Sequence, residues 1–476
     1  MNSTVEKYYL KAKEVPVLGE YDVVVVGGGA AGCAAALYAA RHGANVLLVE
    51  KYGYLGGATV SQLVCPVLST NGVDLIGVWN EYIRAIKKRN GLGKIWGYYV
   101  IMGSVDPEVV KYAWSDLLCE AGVNLLFHVT VSDAIVENDI IKGIVVESVA
   151  GTGAIYAKRV IDCSGNGCVA DKAGVEWEQG DGVNKYAMAL TKPFRLGNAI
   201  KPSDFPTEQH LKTIEDGYKE AIESGVYTSP MITTGRVVPY AKAWTRPLGN
   251  RPEMLVGGPS RILRVNPLDP FELTNAELEA FDTIWQVQDF YRKYVPGCEN
   301  AYFLDTSSHI GIRSSRRICG IEKVRAEDVI EFKKYSDSIA KASWDIDIWP
   351  ANSYTADAVP RESEEYKKRI DKMKAGDYYD IRYGCIVAKG IDNLFVAGRC
   401  ISSDHIAQAS LRIQQTCMAT GQAAGTAAAI SLKENVTPRE LESKKVVEQL
   451  KIDRDAVALE FDFSSEHEKW KKGLGN

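Results

Sequence analysis

"YDVVVVGGGAAGCAAALYAARHGANVLLVEK", Tyr21 to Lys51, is the stretch whose reading decides the fold. Val23 to Val26 is an unbroken β-branched run, the pattern of a strand covered on both faces in a parallel sheet. Gly27, Gly29 and Gly32 follow at G-x-G-x-x-G spacing. The first allows a tight turn, the second lets backbone approach a pyrophosphate, and the third lets helix and strand pack closely. The helix predicted from about Ala30 points free N–H groups at those phosphates. Small residues carry it to Gly43, and Val46 to Val49 gives a second strand. Glu50 stands at the end of that strand, where a carboxylate accepts hydrogen bonds from a ribose diol. Together these features predict a dinucleotide site. The segment alone leaves open whether a nicotinamide or a flavin lies on it.

Composition bounds the alternatives. The 476 residues, 46% of them hydrophobic, suffice for one large or two medium domains with substantial cores. A net charge of -5 is spread over the chain without a long single-sign block, which argues against nucleic acid as a partner. The ten cysteines form no Cys-x-x-Cys pair, so a dithiol site, an iron-sulfur cluster and a zinc knuckle are not expected, nor is any metal site. No transmembrane segment is expected, since no apolar run approaches the ~20 residues a span needs. The N-terminus lacks a signal-peptide pattern, and the expectation is a cytoplasmic chain with reduced thiols.

A second glycine pair, Gly56-Gly57, follows Glu50 closely, and a second nucleotide-type element comes far downstream in "DNLFVAGRCISSDHIAQASLRIQQTCMATGQAAGTAAAI". Leu394 to Ala397 reads as a buried strand ending at Gly398, and Ile413 to Ile430 as a small-residue helix. A chain that returns to its nucleotide domain suits a long ligand with a reactive second end. The pattern from Gly27 to Gly43, with Ala36 between, resembles FAD-binding domains of the glutathione-reductase and fumarate-reductase type, as do "RVIDCSGNG" and "DNLFVAGR". More narrowly, "HIGIRSSRRICG", "YDIRYGCIVAKGIDNLFVAGRCIS" and "TCMATGQAAGTAA" resemble a bacterial family of FAD-dependent oxidoreductases.

The resemblance implies FAD, with Gly27, Gly29, Ala31, Gly32, Glu50, Lys51, Gly56, Gly57 and Ala58 as its expected binding residues, and because no histidine stands beside Gly56-Gly57 the flavin is expected to be noncovalent. The resemblance adds Val131, Ser164 and Gly165 from the middle of the domain, and Gly398, Arg399 and Ile413 from its end. Arg399 departs from the acidic residue common after this glycine, and Cys163-Ser164 from the usual Ala-Thr.

The fold class that follows is α/β. A discontinuous Rossmann-like FAD-binding domain spans residues 15–170 and 384–432, an inserted α+β substrate domain spans 171–383, and a helical tail, 433–476, packs on the body. In the insert, "MLVGGPSRILRVN" suggests strands. "TNAELEAFDTIWQVQDFYRKYV" suggests a helix capped by Thr274, with Leu278, Phe281, Ile284, Trp285 and Val287 at helical spacing. Trp177, Trp244, Trp285 and Trp344 also fall in the insert, and Leu459 is among the apolar positions of the tail.

For chemistry, the final helix should aim its N-terminal dipole at flavin N1 and O2. His405 and Arg412, in the loop before that helix, are the first candidates for substrate contact. If "SHIGIRS" is a strand, His309, Gly311 and Arg313 share one face and supply a carboxylate ligand or a proton donor. Arg382 is a weaker candidate, and Cys400 and Cys417 read as small apolar residues. No second glycine fingerprint marks an NAD(P)H domain, so electrons pass directly between a small-molecule substrate and an acceptor or donor that the sequence does not name. The expected activity is hydride transfer between a small organic substrate and flavin N5, either dehydrogenation or alkene reduction. The rival readings are a nucleic-acid-modifying flavoprotein, a non-redox role with FAD as a structural staple or the chain as a subunit of a larger complex, and a lyase or hydrolase acting on sugars with an idle flavin.

Overall fold

Val23 to Val26 are almost fully enclosed because their strand, Val17–Val26, lies in the middle of a seven-stranded sheet. We describe the protein from a computed structural model, which covers residues 11–69, 77–97, 101–243, 253–354 and 363–457; Trp244 and Leu459 lie outside these. Val17–Val26 pairs in parallel with Val46–Val49 on one side and Gly151–Asp162 on the other, with Val26 opposite both Val49 and Asp162. Asn124–Leu126 continues the parallel sheet beyond Val46–Val49.

The strand Gly151–Asp162 does two jobs. Its first half joins an antiparallel ribbon with Ile140–Ser148 and Thr130–Glu137, and its last three residues pair with Leu394–Val396. The last strand thus enters the sheet one place away from Val17–Val26, across Gly151–Asp162, although more than three hundred residues separate it from that first strand in sequence.

Two helices, Ala30–Arg41 and Gln414–Lys433, pack against each other over this sheet and are buried nearly all round. Their alanines and glycines offer little amphipathic contrast, as expected of helices enclosed on every side. Residues from Val324 to Tyr383, including Ile339, Ala342, Tyr379 and Ile381, bury their side chains in the same core. The helix Ser443–Ala456 adds Val446 to it.

A separate core is built on a three-stranded antiparallel sheet of Met254–Val256, Phe194–Gly197 and Tyr302–Thr306. Glu208–Ser224 and Pro270–Tyr294 are its long helices, with Ile214, Ile284, Phe290 and Tyr291 inside.

Two local expectations change. The long helix starts at Pro270 behind the cap Asp269, whose carboxylate accepts from Phe271 and Glu272 N–H; Thr274 lies within it and bonds back to the Pro270 carbonyl. Ile284 and Val287 are buried as the spacing suggests, but Leu278, Phe281 and Trp285 face outward. The segment "SHIGIRS" is not a strand: a single bridge joins Gly311 to Thr191, the His309 N–H bonds the Ser61 carbonyl, and Glu277 accepts the Ile310 N–H at 2.6 Å.

Candidate active site

The glycine turn is built by close approach. Gly27 has φ 103°, and a Cβ there would meet the Cys163 carbonyl oxygen at 2.6 Å. A side chain on Gly32 would overlap the Gly27 carbonyl, coming within 2.9 Å of its carbon. The second glycine pair closes on the first. Gly56 N–H donates to the Gly28 carbonyl at 2.9 Å, and a Cβ on Gly57 would lie 2.6 Å from the Gly29 Cα.

Glu50, only 8% exposed, is fixed at the rim of this turn, its two oxygens accepting from Gly28 N–H at 2.6 Å and Tyr52 N–H at 2.9 Å. Its remaining lone pairs suit a diol. Lys51 lies over the Tyr52 ring, and Val131 is brought close through Val129, whose N–H bonds the Glu50 carbonyl. Ala31 sits in the first helical turn against Gly398, and Ala58 opens the short helix Ala58–Ser61. Ser164 and Gly165 form the turn after Asp162. Arg399 clamps it, donating to the Gly165 carbonyl at 2.8 Å and Asn166 Oδ1 at 2.6 Å.

The helix N-termini test whether this cradle fits FAD. Ala30–Arg41 begins at Gly29 and Gln414–Lys433 at Ile413, and neither has a side-chain cap, so the orphan amides of both face any ligand between them. Gln414 ties the second to the glycine loop, accepting from Thr59 Oγ at 2.5 Å and donating to the Val64 carbonyl at 2.7 Å. Gln415 beside it is 1% exposed, yet neither amide atom has a partner. A buried amide so placed suits the donor and acceptor edge of a flavin pyrimidine ring. The residues fit the cofactor.

The proposed chemical side chains divide into groups. His309 stands at the nucleotide end, its ring stacked on Tyr52 with centroids 5.6 Å apart. Its Nδ1 lies 2.9 Å from the Ile310 carbonyl, which can only accept, so Nδ1 carries the proton and Nε2 the lone pair. Burial lowers its pKa, keeping the ring neutral.

His405 is not in a loop but is the first residue of the helix His405–Leu411, behind the cap Asp404. The charged groups that act on it are Arg317, Asp181 and Asp404. Arg412 ends that helix, roughly 10 Å further along its axis. Arg313 joins Arg412 instead of His309. The two guanidiniums influence each other across Asp347, which accepts from Arg412 at 2.9 Å.

Arg382 is paired with Asp337 and Glu322, as Arg316 is with Asp171. Burial raises the Cys400 and Cys417 thiols, the latter to about 12, so neither is a thiolate. A cleft of about 890 Å³ at the amino ends of the parallel strands, lined by Glu20, Asp22, His42 and Lys158 among others, holds none of these residues.

Burial and Arg317 push the His405 pKa below its usual 6.5. The unfolded chain therefore binds the proton more tightly, and stability falls as pH drops through 6.5 toward the folded value. His405→Asn is expected to flatten the slope of melting temperature against pH below about 6.5. An unchanged slope in the variant would show that the buried ring is not its source.

Sequence reasoning passed over Asp162, Thr59, Gln415, Arg261, Asp347 and Trp349. Asp162 had a local signal, an acid at the end of a strand just before a glycine turn. Arg261, Asp347 and Trp349 had none, because only tertiary folding brings them to Arg412.

The chain is 67% identical over 39 residues to a vinyl phenol reductase of Lactiplantibacillus plantarum, 8% of each chain. It is 61% identical over 41 residues to a urocanate reductase of Eggerthella lenta, 9% of this chain and 7% of the other. The chain's matches thus span less than a tenth of either reductase. Among solved structures, a geranylgeranyl bacteriochlorophyll reductase-like protein from Thermoplasma acidophilum is 12% identical, with 96% of this chain and 92% of that one covered at a TM-score of 0.47. The family model described as FAD dependent oxidoreductase matches residues 22–450, nearly the whole chain, so the protein belongs to that family and is an FAD-dependent oxidoreductase.

Proposed function

We propose that the protein transfers a hydride between a small organic substrate and N5 of noncovalently bound FAD, by dehydrogenation or by reduction of an activated alkene. The observation that carries this reading is the uncapped N-terminus of Gln414–Lys433, tied to the glycine loop through Thr59 and preceded directly by Arg412. Bound FAD supplies hydride acceptance at N5, with negative charge gathering near N1 and O2.

The chain's own residues do the rest. Gly27, Gly29, Gly32 and the amides behind Gly29 hold the pyrophosphate. Glu50 holds the ribose, and Gly56, Gly57 and Ala58 let backbone approach from the other side. Ile413 and the amides behind it present a positive dipole end where charge develops, and Arg412 adds a full charge beside them. His309 can take a proton at Nε2 on the nucleotide side, and His405 opens the short helix that Arg412 ends. Residues 15–170 and 384–432 form the cofactor domain in this reading, and 171–383 the substrate wall. Among the described residues no helix is long and apolar enough to cross a membrane. The ten cysteines are all free, which supports a reducing, cytoplasmic setting.

The test is an absorbance spectrum from the blue to the near ultraviolet, then anaerobic titration with dithionite and with hydroxy acids, amines and enoyl acids. Flavin bands bleached by one substrate class, or dithionite-reduced flavin reoxidised by an enoyl acid, give the direction and the class. A bound flavin that dithionite reduces but no organic partner reduces or reoxidises would sink the hydride-transfer reading.

A further inference from the structure

Arg412, Arg313 and Trp349 come together near the start of the helix Gln414–Lys433. Arg412 Nη2 donates to both the carbonyl and a carboxylate oxygen of Asp347, each at 2.9 Å, while its Nε is buried without a partner. Trp349 Nε1 donates to the other Asp347 oxygen at 2.7 Å. The Arg313 guanidinium lies 4.2 Å from the Trp349 ring centroid, and its Nη1 bonds the Ala189 carbonyl, not an acid. Arg261 stacks on the same indole at 3.8 Å and donates to the Tyr354 carbonyl.

Among the described residues, Asp347 is the carboxylate that Arg412 binds and whose charge also acts on Arg313. Burial, and then the nearby Arg412, pull the Arg313 pKa down to about 9, which leaves it charged at neutral pH but poorly compensated. Clustered guanidiniums with a single carboxylate among the described residues gain from a second anion, and a guanidinium fork fits a carboxylate through two parallel hydrogen bonds. The flat indole beside them suits an organic body better than a compact inorganic ion.

We propose that this cluster is the recognition site for a carboxylate group on the substrate, held beside the N-terminus of Gln414–Lys433. This deepens the hydride-transfer reading and rests on it for the identity of the bound molecule as substrate.

The test is calorimetric titration of the FAD-loaded full chain, at low and high salt, with succinate, crotonate and benzoate. Their neutral methyl esters and inorganic phosphate are the comparators. At least one carboxylate is expected to bind, with its ester about tenfold weaker or worse and phosphate weaker than the acid. Arg313→Met should weaken the carboxylate at least about tenfold at an unchanged melting temperature. Asp347→Asn, which removes the internal competitor, should tighten it, an opposite sign that misfolding would not produce.

Esters equal to acids, phosphate tighter than every carboxylate, no binding of any carboxylate, or an Arg313→Met variant that binds like the parent would each overturn the proposal. Binding is read without turnover, so the two readings fail separately. A chain that binds carboxylates but exchanges no hydride sinks only the reaction, and one that exchanges hydride but ignores carboxylates sinks only this site.

Discussion

Replacing Gly421 with valine is expected to produce a chain that melts far below the parent and releases its FAD. Gly421 and Gly425 lie four residues apart on Gln414–Lys433, and they face Ala31 and Ala35, also four apart, on Ala30–Arg41. A Cβ on Gly421 would overlap the Ala31 carbonyl oxygen and come within 2.8 Å of its carbon and 2.9 Å of its Cα. The opposing atoms are backbone, which no rotamer change can clear, so the helices must separate. Separation also strains the Gly425 contact with Ala35 and the seat of Gly398 against the Ala31 side chain. Overpacking of ordinary core sites costs about 1–3 kcal/mol, and a clash with backbone that also forces the neighbouring turn apart belongs at about 3 kcal/mol or more. Cofactor loss follows because both open helix N-termini belong to this pair. Gly257→Ala is the control, since its Cβ would meet only Pro193 Cβ at 4.0 Å. Thermal melting with flavin fluorescence as the readout decides the matter: if the two variants melt together, the glycines do not set the helix separation.

How much of this was legible depended on how far apart the cooperating residues lie. Val23 to Val26, the glycine spacing and Glu50 form one local unit, and the strand, turn, helix and strand appear as read. The returning strand Leu394–Val396 and the helix behind Ile413 were legible for the same reason. The long insert helix was readable but misplaced, because Asp269-Pro270, a strong cap with proline in the first turn, was passed over for Thr274. The segment around His309 misled for a physical reason. Alternation of polar and apolar residues predicts a strand only where a neighbouring strand supplies hydrogen bonds, and here one bridge to Thr191 and the Glu277 side chain stand in for it. That irregular path sends His309 toward Tyr52 and Arg313 toward Trp349, separating two residues a strand would have aligned. The arginine cluster could not be read at all, since its members sit on segments near residues 261, 313, 349 and 412.

Asp162→Ala should be the most damaging change of a single polar side chain in the cofactor domain. Asp162 ends the strand Gly151–Asp162 fully buried, and its carboxylate accepts three backbone amides: Ser164 at 3.0 Å, Val169 at 2.8 Å and Ala170 at 3.0 Å. Ser164 Oγ takes the next amide, that of Cys168, at 3.0 Å. The first turn of the helix Cys168–Lys172 is thus capped from outside, by an anion placed where the helix dipole favours one. Alanine leaves the three amides without that acceptor. An unmet buried donor costs about 1–3 kcal/mol, so the loss is expected to exceed about 3 kcal/mol. Asparagine keeps one carbonyl acceptor but turns an NH₂ toward an N–H, and should fall between alanine and the parent. The effect should reach the cofactor, because the turn that Asp162 holds carries Gly165, which Arg399 binds, and joins it to Gly398. FAD affinity and melting temperature should therefore fall together in the order parent, Asp162→Asn, Asp162→Ala. A melting temperature that falls while FAD affinity stays at the parent value would separate this turn from the cofactor and confine Asp162 to holding the fold.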